Sequence, residues 1–68
     1  MAWVSTDVRL PDKSGEYKVR RRAGPEKYIV EETVFFEIRK VRVTHKTWYS
    51  MKTGGRLLYV LEWWDENA

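Results

Sequence analysis

Three clusters of turn-forming residues divide this chain into short segments that are rich in β-strand formers. The clusters are Pro11 to Gly15, Gly24-Pro25 and Gly54-Gly55, and Val, Ile, Thr, Tyr, Phe and Trp predominate between them. Proline and glycine interrupt regular structure, whereas β-branched and aromatic side chains favour the pleated strand. No window shows a convincing apolar helical stripe with caps. The sequence therefore predicts an all-β fold in a single domain, residues 1–68.

The core of so short a chain has to be built mainly from aromatic side chains. The sequence has no Cys and one His, so it offers no disulfide, no thiolate metal site and too few ligands for an ordinary zinc site. It has 4 Trp, 4 Tyr and 2 Phe, and each such ring buries roughly 150–250 Å². We therefore expect dense aromatic packing or self-association to stabilise the fold, without a cofactor.

The alternation of apolar and polar residues predicts four strands. They span about 16–22, 27–38, 40–51 and 56–64. The apolar side changes parity at Arg39-Lys40, so we expect a turn or bulge there. The last strand is apolar on both faces, which favours either a curled sheet or a homodimer. The predicted fold is a small antiparallel four-stranded meander, or an SH3-like half-barrel, with an N-terminal arm packed across it.

Catalytic chemistry has little support in this sequence. None of the three serines lies in a Gly-x-Ser-x-Gly elbow, and His45, the only imidazole, lies on a strand beside cationic residues. Glu31 and Glu32 are adjacent on a strand, so their side chains point to opposite faces. We therefore expect no enzyme, no catalytic residues and no metal site.

Basic residues form the most distinctive surface pattern, and the formal net charge is +3. If the first and third strands are neighbours, their cations form one face that could follow phosphates while nearby rings stack on bases. The residues of this predicted nucleic-acid or anion face are Lys18, Arg20, Arg22, Lys40, Arg42 and Lys46. Glutamates nearby in sequence leave a second interpretation open, an ordinary charged face with cross-strand ion pairs.

Adjacent aromatic residues suggest a second kind of surface. In Trp48-Tyr49 and Trp63-Trp64, neighbouring side chains point to opposite faces of a strand, so one ring of each pair is expected outside the core. We assign Trp48 and Trp63 to the core. Trp and Tyr are enriched at binding hot spots. The predicted partner-contact patch consists of Tyr49, Glu62 and Trp64.

Three segments near the start of the chain together resemble a known family. Trp3-Val4-Ser5, Arg9-Leu10-Pro11 and Gly15-Glu16-Tyr17-Lys18-Val19 are similar to the opening of the Domain of Unknown Function 551 family, short proteins of tailed phages and prophages. The aromatic segments Val34-Phe35-Phe36-Glu37 and Trp48-Tyr49 continue the resemblance. It implies a phage setting and supplies no catalytic residues.

These observations favour a small protein that acts by contact. The leading hypothesis is a phage or prophage protein, expected to form a homodimer, that binds and modulates a host protein such as a defence component. The alternative is a nucleic-acid-binding β module that uses the basic face, and a further alternative is a minor virion structural or assembly protein. No signal peptide or membrane-spanning run is visible, so we expect the cytoplasm of a bacterial host and no membrane partner.

Overall fold

A computed structural model of the protein describes residues 1–26 and 28–68, which form one antiparallel sheet of six strands. The strands run in the spatial order β1-β6-β2-β3-β4-β5. Their bounds are β1 Ala2–Ser5, β2 Gly15–Ala23, β3 Tyr28–Val41, β4 Val43–Ser50, β5 Arg56–Leu57 and β6 Val60–Asp65. The predicted all-β class is confirmed, although the sheet has six strands where four were expected. The segment predicted as an arm packed across the sheet contributes an edge strand, β1, which pairs with β6.

The break between β5 and β6 makes the sheet curl. β5 pairs with β4, whereas β6 pairs with β2, and only Leu58 and Tyr59 separate the two strands along the chain. Three residue steps span at most about 10 Å. The sheet therefore has to bend, and the rings of Tyr17 on β2 and Trp48 on β4 come into contact over β3.

The side chains that the curled sheet encloses form the core. On this core face, Val19, Val34 and Phe36 are fully buried, and Trp48, Val60 and Trp63 are nearly so. Ring contacts connect the cluster, because Tyr17 lies 6.2 Å from Trp48 and 5.6 Å from Trp63, both edge to face. The assignment of Trp48 and Trp63 to the core is confirmed.

The last strand was predicted to run unbroken, and this was wrong. The chain leaves the sheet at residues 58–59. Within β6, Glu62 lies opposite Arg20 and Val60 opposite Arg21, so Leu61 is an extra residue, and this bulge places Val60 and Trp63 on the same face. Continuous alternation would have separated them. The opposite ring of the pair, Trp64, packs against Trp3 of β1. Curling thus covers the core face of β6, and Trp64 on the outer face is half-buried beside Trp3. The homodimer stays a prediction.

The turn predicted at Arg39-Lys40 lies farther along the chain. β3 continues to Val41, and Arg42 alone separates it from β4, with Val41 paired to Val43. The two valines suggested a change of parity because they are apolar, but both lie on the solvent side of the sheet, 59% and 62% exposed. The Gly54-Gly55 hairpin is confirmed, since the N–H of Ser50 donates to the carbonyl of Gly55 at 2.8 Å.

No helix among residues 1–26 and 28–68 is long and apolar enough to cross a membrane.

Candidate functional site

The six cations predicted to share one face lie on two faces and a turn. Residues directly opposite each other in an antiparallel pair share a face. Lys18 is opposite Thr33 and Arg20 is opposite Glu31, which places them, with Arg22, on the outer face of the sheet. Lys46 is opposite Ile38 on the core face, and Lys40 shares that face. The prediction of one continuous cationic face is therefore wrong, because β3 lies between β2 and β4 and their parities differ.

Two arginines of β2 are neutralised by glutamates. The Arg20 guanidinium lies 3.8 Å from a carboxylate oxygen of Glu31 and 3.4 Å from one of Glu62. On the core face, Nε of Arg21 donates to Glu32 at 2.7 Å. This part of the basic pattern matches the second interpretation, a charged surface with cross-strand ion pairs.

The other basic cluster lies on a hairpin that projects from the sheet. β2 pairs with β3 only as far as Phe36, and β5 pairs with β4 only as far as Trp48. Beyond these points, in the part of the chain that the structure describes, β3 and β4 pair only with each other. We call residues 37–47 the projecting hairpin; from Phe36 to its tip at Arg42 it extends about 20 Å at the strand rise per residue.

The projecting hairpin carries the net charge of the chain. It contains four cations, Arg39, Lys40, Arg42 and Lys46, against one carboxylate, Glu37, so its formal charge is +3, the same as that of all 68 residues. All four cations are exposed. Arg39 pairs with Glu37 at 3.0 Å, and the other three form no ion pair with any residue that the structure describes. The remaining nine cations and nine carboxylates of the chain balance.

The hairpin tip has a strained backbone. Arg42 adopts a φ of 67°, which is the left-handed region that glycine occupies without penalty. An arginine there costs of order 1–3 kcal/mol of conformational free energy. Strain of this kind often accompanies function, and here it occurs at an exposed arginine at the most distal point of the hairpin.

A shallow groove of about 360 Å³ lies on the outer face of the hairpin. Its lining combines charged, polar and apolar side chains: Glu37, Arg39, Val41, His45, Thr47 and Tyr49. Tyr49 is half-buried and lies opposite Phe35, and neither ring contacts another ring among the described residues. The outer face therefore offers cations, exposed valines and two unstacked rings within one hairpin.

The predicted partner-contact patch of Tyr49, Glu62 and Trp64 is not brought together. Tyr49 lies on β4, whereas Glu62 and Trp64 lie on β6, on the far side of β2 and β3. Trp64 packs edge to face on Trp3 with ring centroids 5.3 Å apart, and Glu62 is engaged by Arg20. The Trp64 ring thus holds β1 through Trp3, and Glu62 binds Arg20, whose guanidinium also lies over the Trp3 ring.

Four other apolar residues, which the sequence patterns did not single out, are exposed outside the hairpin. Tyr28 and Ile29 begin β3, and Leu58 and Tyr59 form the break before β6, with the last two 73% and 66% exposed. The N–H of Arg22, the residue opposite Ile29, donates to the Tyr59 carbonyl at 3.1 Å, which holds the two segments together. The sequence does not indicate the strand break at residues 58–59, because Leu58 and Tyr59 both fit the pattern of an unbroken apolar strand.

A larger concavity, about 420 Å³, lies where β6 ends beneath the segment that follows β1. Several of its polar groups bind one another. Arg9 forms an ion pair with Asp65, which lowers the pKa of that carboxyl, and the Tyr17 phenol donates to the Lys13 carbonyl at 2.8 Å. Burial, and then the negative charges of Asp12 and Asp65, raise the pKa of Tyr17. We interpret this concavity as a structural ion-pair site. No cluster of three or more potential metal ligands occurs among residues 1–26 and 28–68.

No protein family model, no curated protein and no solved structure matches this chain, so the resemblance in residues 3–19 stays a prediction.

Proposed function

We propose that the protein is a non-catalytic nucleic-acid-binding β module that uses the projecting hairpin. One observation carries the proposal: the whole net charge of the chain is concentrated on an exposed hairpin whose cations, apart from Arg39, lack ion-pair partners in the described structure. Nucleic-acid backbones are regular arrays of negative charge, and their affinity for proteins depends on cations that displace condensed counterions. Cations that are already paired with glutamates, such as Arg20 and Arg21, contribute little to that exchange.

The local contrast within the chain strengthens this proposal. In β2, Arg20 and Arg21 pair with glutamates of β3 at 3.8 and 2.7 Å. The projecting hairpin, by contrast, contains one carboxylate and four cations. Because one carboxylate cannot neutralise four cations, the cations of the hairpin repel one another, and this repulsion opposes folding. An anionic partner removes that repulsion.

The test is the salt dependence of binding, measured by fluorescence anisotropy with a labelled mixed-sequence oligonucleotide. The variant K40A/K46A removes two hairpin lysines, and K13A/K52A removes two exposed lysines elsewhere. We expect the slope of log K against log salt to fall by about 1.4–1.8 in the first variant, since each phosphate contact contributes roughly 0.7–0.9. The control should change much less. Equal slopes in the two variants, or no binding at low salt, would contradict the proposal.

A second candidate function is protein contact, and four exposed apolar residues, Tyr28, Ile29, Leu58 and Tyr59, favour it. Exposed apolar patches often mark protein interfaces. In this form the protein binds a host protein, in the phage and bacterial setting that the resemblance implies, through the strand break rather than through Trp64.

The two candidates differ in which variants abolish binding. A host protein captured from nuclease-treated bacterial lysate should be lost with L58S/Y59S and retained with K40A/K46A if protein contact is the function. If the capture is instead lost with K40A/K46A, or unaffected by L58S/Y59S, the exposed residues of the strand break are not the contact surface.

A further inference from the structure

We infer that the projecting hairpin binds in the major groove of duplex DNA and that Arg42 contacts base edges there. This inference rests on the proposed function and specifies the form of nucleic acid. It is carried by the shape of the hairpin, by the distribution of its cations and by the residues at its tip.

The shape fits the groove of B-form DNA. Residues 37–47 form a two-stranded ribbon about 20 Å long that no other described strand borders. The major groove is about 12 Å wide and 8.5 Å deep and admits a two-stranded ribbon. In duplex RNA the major groove is too deep and narrow for side chains to read. A ribbon of these dimensions therefore selects duplex DNA over duplex RNA.

The cations are placed for the two walls of that groove. Lys40 and Lys46 extend from one face of the ribbon without an ion-pair partner in the described structure. Arg39 extends from the other face, where it pairs with Glu37 at 3.0 Å, so a phosphate on that side has to compete with Glu37. Phosphates border the major groove on both sides, so a ribbon inserted edgewise brings each face near one sugar-phosphate backbone. Cations on two faces cannot form one flat cationic surface, but they can each approach one of the two backbones.

The tip carries the residue types that read bases. Arginine bound bidentately to O6 and N7 of guanine is the commonest specific contact in the major groove, and apolar side chains contact the thymine methyl group. Arg42 occupies the tip in a strained conformation, and the exposed pair Val41 and Val43 flanks it. Neither exposed valine contributes to the buried core, and both would be covered in the groove.

Single-stranded nucleic acid would use other residues. Phe35 and Tyr49 are the accessible rings beside the hairpin that could stack on bases, and they lie near its base, away from its tip. The F35L/Y49L variant therefore reports on single-strand binding, and it leaves the cations and Arg42 in place.

The first experiment compares one 20-base-pair sequence as duplex DNA, duplex RNA and each separate DNA strand, by anisotropy at fixed salt. We expect duplex DNA to bind about tenfold more tightly than duplex RNA, with F35L/Y49L leaving duplex affinity unchanged. Preference for the single strands that is lost in F35L/Y49L, or equal affinity for duplex RNA, overturns the inference while the proposed function stands. Absence of any salt-sensitive binding overturns the proposed function itself.

The second experiment tests the role of Arg42 by selection from random-sequence duplexes. The R42K variant retains the positive charge and the strained backbone but loses the bidentate guanidinium. We expect the natural protein to enrich guanine-containing sites, and R42K to lose that enrichment while its affinity for unselected DNA changes less than about threefold. Enrichment that persists in R42K, or none in the natural protein, overturns the assignment of Arg42 to base contact.

Discussion

The guanidinium carbon of Arg20 lies 3.9 Å from the centroid of the Trp3 ring. The contact joins edge strand β1 to the interior of the sheet across β6, where the same guanidinium approaches Glu62 and, on the other side, Glu31. A cation above an indole face is attracted by the ring quadrupole. Arg20 therefore serves to hold the first strand in place, which explains why a cation in the middle of the basic pattern is not available to a ligand.

Removing the ring should loosen β1. We expect W3A to lower the free energy of unfolding by about 2 kcal/mol, because Trp3 is only half-buried but loses both its contact with Arg20 and its edge-to-face contact with Trp64. Urea denaturation followed by far-UV circular dichroism measures the change without relying on tryptophan fluorescence. V8A is the control, since Val8 is 76% exposed and should change stability little. A loss in W3A no greater than in V8A would show that β1 is not anchored by this ring.

The two adjacent glutamates of β3 should differ in their contribution to stability. Glu32 lies on the core face and accepts a hydrogen bond from Arg21 at 2.7 Å, with both side chains largely shielded from water. Glu31 lies on the outer face, half-exposed and 3.8 Å from Arg20. Removing one partner of a shielded charge pair leaves the other unsatisfied, whereas an exposed pair contributes little.

We therefore expect E32A to cost about 1–2 kcal/mol and E31A less than about 0.5 kcal/mol in the free energy of unfolding. Chemical denaturation of the two variants under identical conditions checks the difference, and each serves as the control for the other. Equal losses would mean that the Arg21 pair is no better shielded than the Arg20 pair.

The strain at the hairpin tip predicts a substitution that stabilises the fold and weakens binding. R42G removes the Cβ that opposes a φ of 67°, and the gain is partly offset by the greater backbone freedom of glycine when unfolded. We expect the free energy of unfolding to rise by about 0.5–1 kcal/mol, while affinity for an oligonucleotide falls because a cation is lost. Asparagine tolerates the left-handed region better than arginine, so the stability of R42N should lie between those of the natural protein and R42G. Destabilisation in R42G would show that the turn is not strained by its side chain.

The fold class could be predicted from the sequence because it depends on local preferences. Strand formers between turn residues were enough to place the first hairpin and the Gly54-Gly55 turn, and aromatic pairs were enough to place Trp48 and Trp63 in the core. The turn at Arg42 was missed because no glycine marks it. Tertiary pairing, rather than local preference, imposes the left-handed conformation there.

The candidate site could be predicted only in part, because strand order decides which cations are neighbours. The sequence identified Lys40, Arg42 and Lys46, but alternation alone grouped them with Lys18 and Arg20 on one face. That grouping depended on where β3 turns and on which strand separates the two basic segments. A shift of the turn by two to three residues, from Arg39-Lys40 to Arg42, created the projecting hairpin that no pattern indicated.

The ion pair between Arg9 and Asp65 predicts how stability responds to acid. Asp65 accepts hydrogen bonds from the Arg9 side chain and, at 2.9 Å, from the backbone N–H of Asn67, and these lower its pKa below the ordinary 3.8 more than burial raises it. A carboxyl whose pKa is lower in the folded state binds fewer protons there than in the unfolded chain. Its contribution is therefore complete above the unfolded pKa and is lost as the pH falls through the folded one.

Replacing the guanidinium should flatten the acid limb of the stability curve. We expect R9Q to be less stable than the natural protein at neutral pH, and the difference to shrink as the pH falls from about 5 to about 2, because the unfolded chain then takes up a proton at Asp65 more readily than the folded protein does. Urea denaturation at a series of pH values measures it. R56Q removes an equal charge from an exposed position, so its difference from the natural protein should vary much less with pH. A difference for R9Q that stays constant to pH 2 would mean that Arg9 stabilises the fold through the Trp63 ring, 5.0 Å from its guanidinium, and not through Asp65.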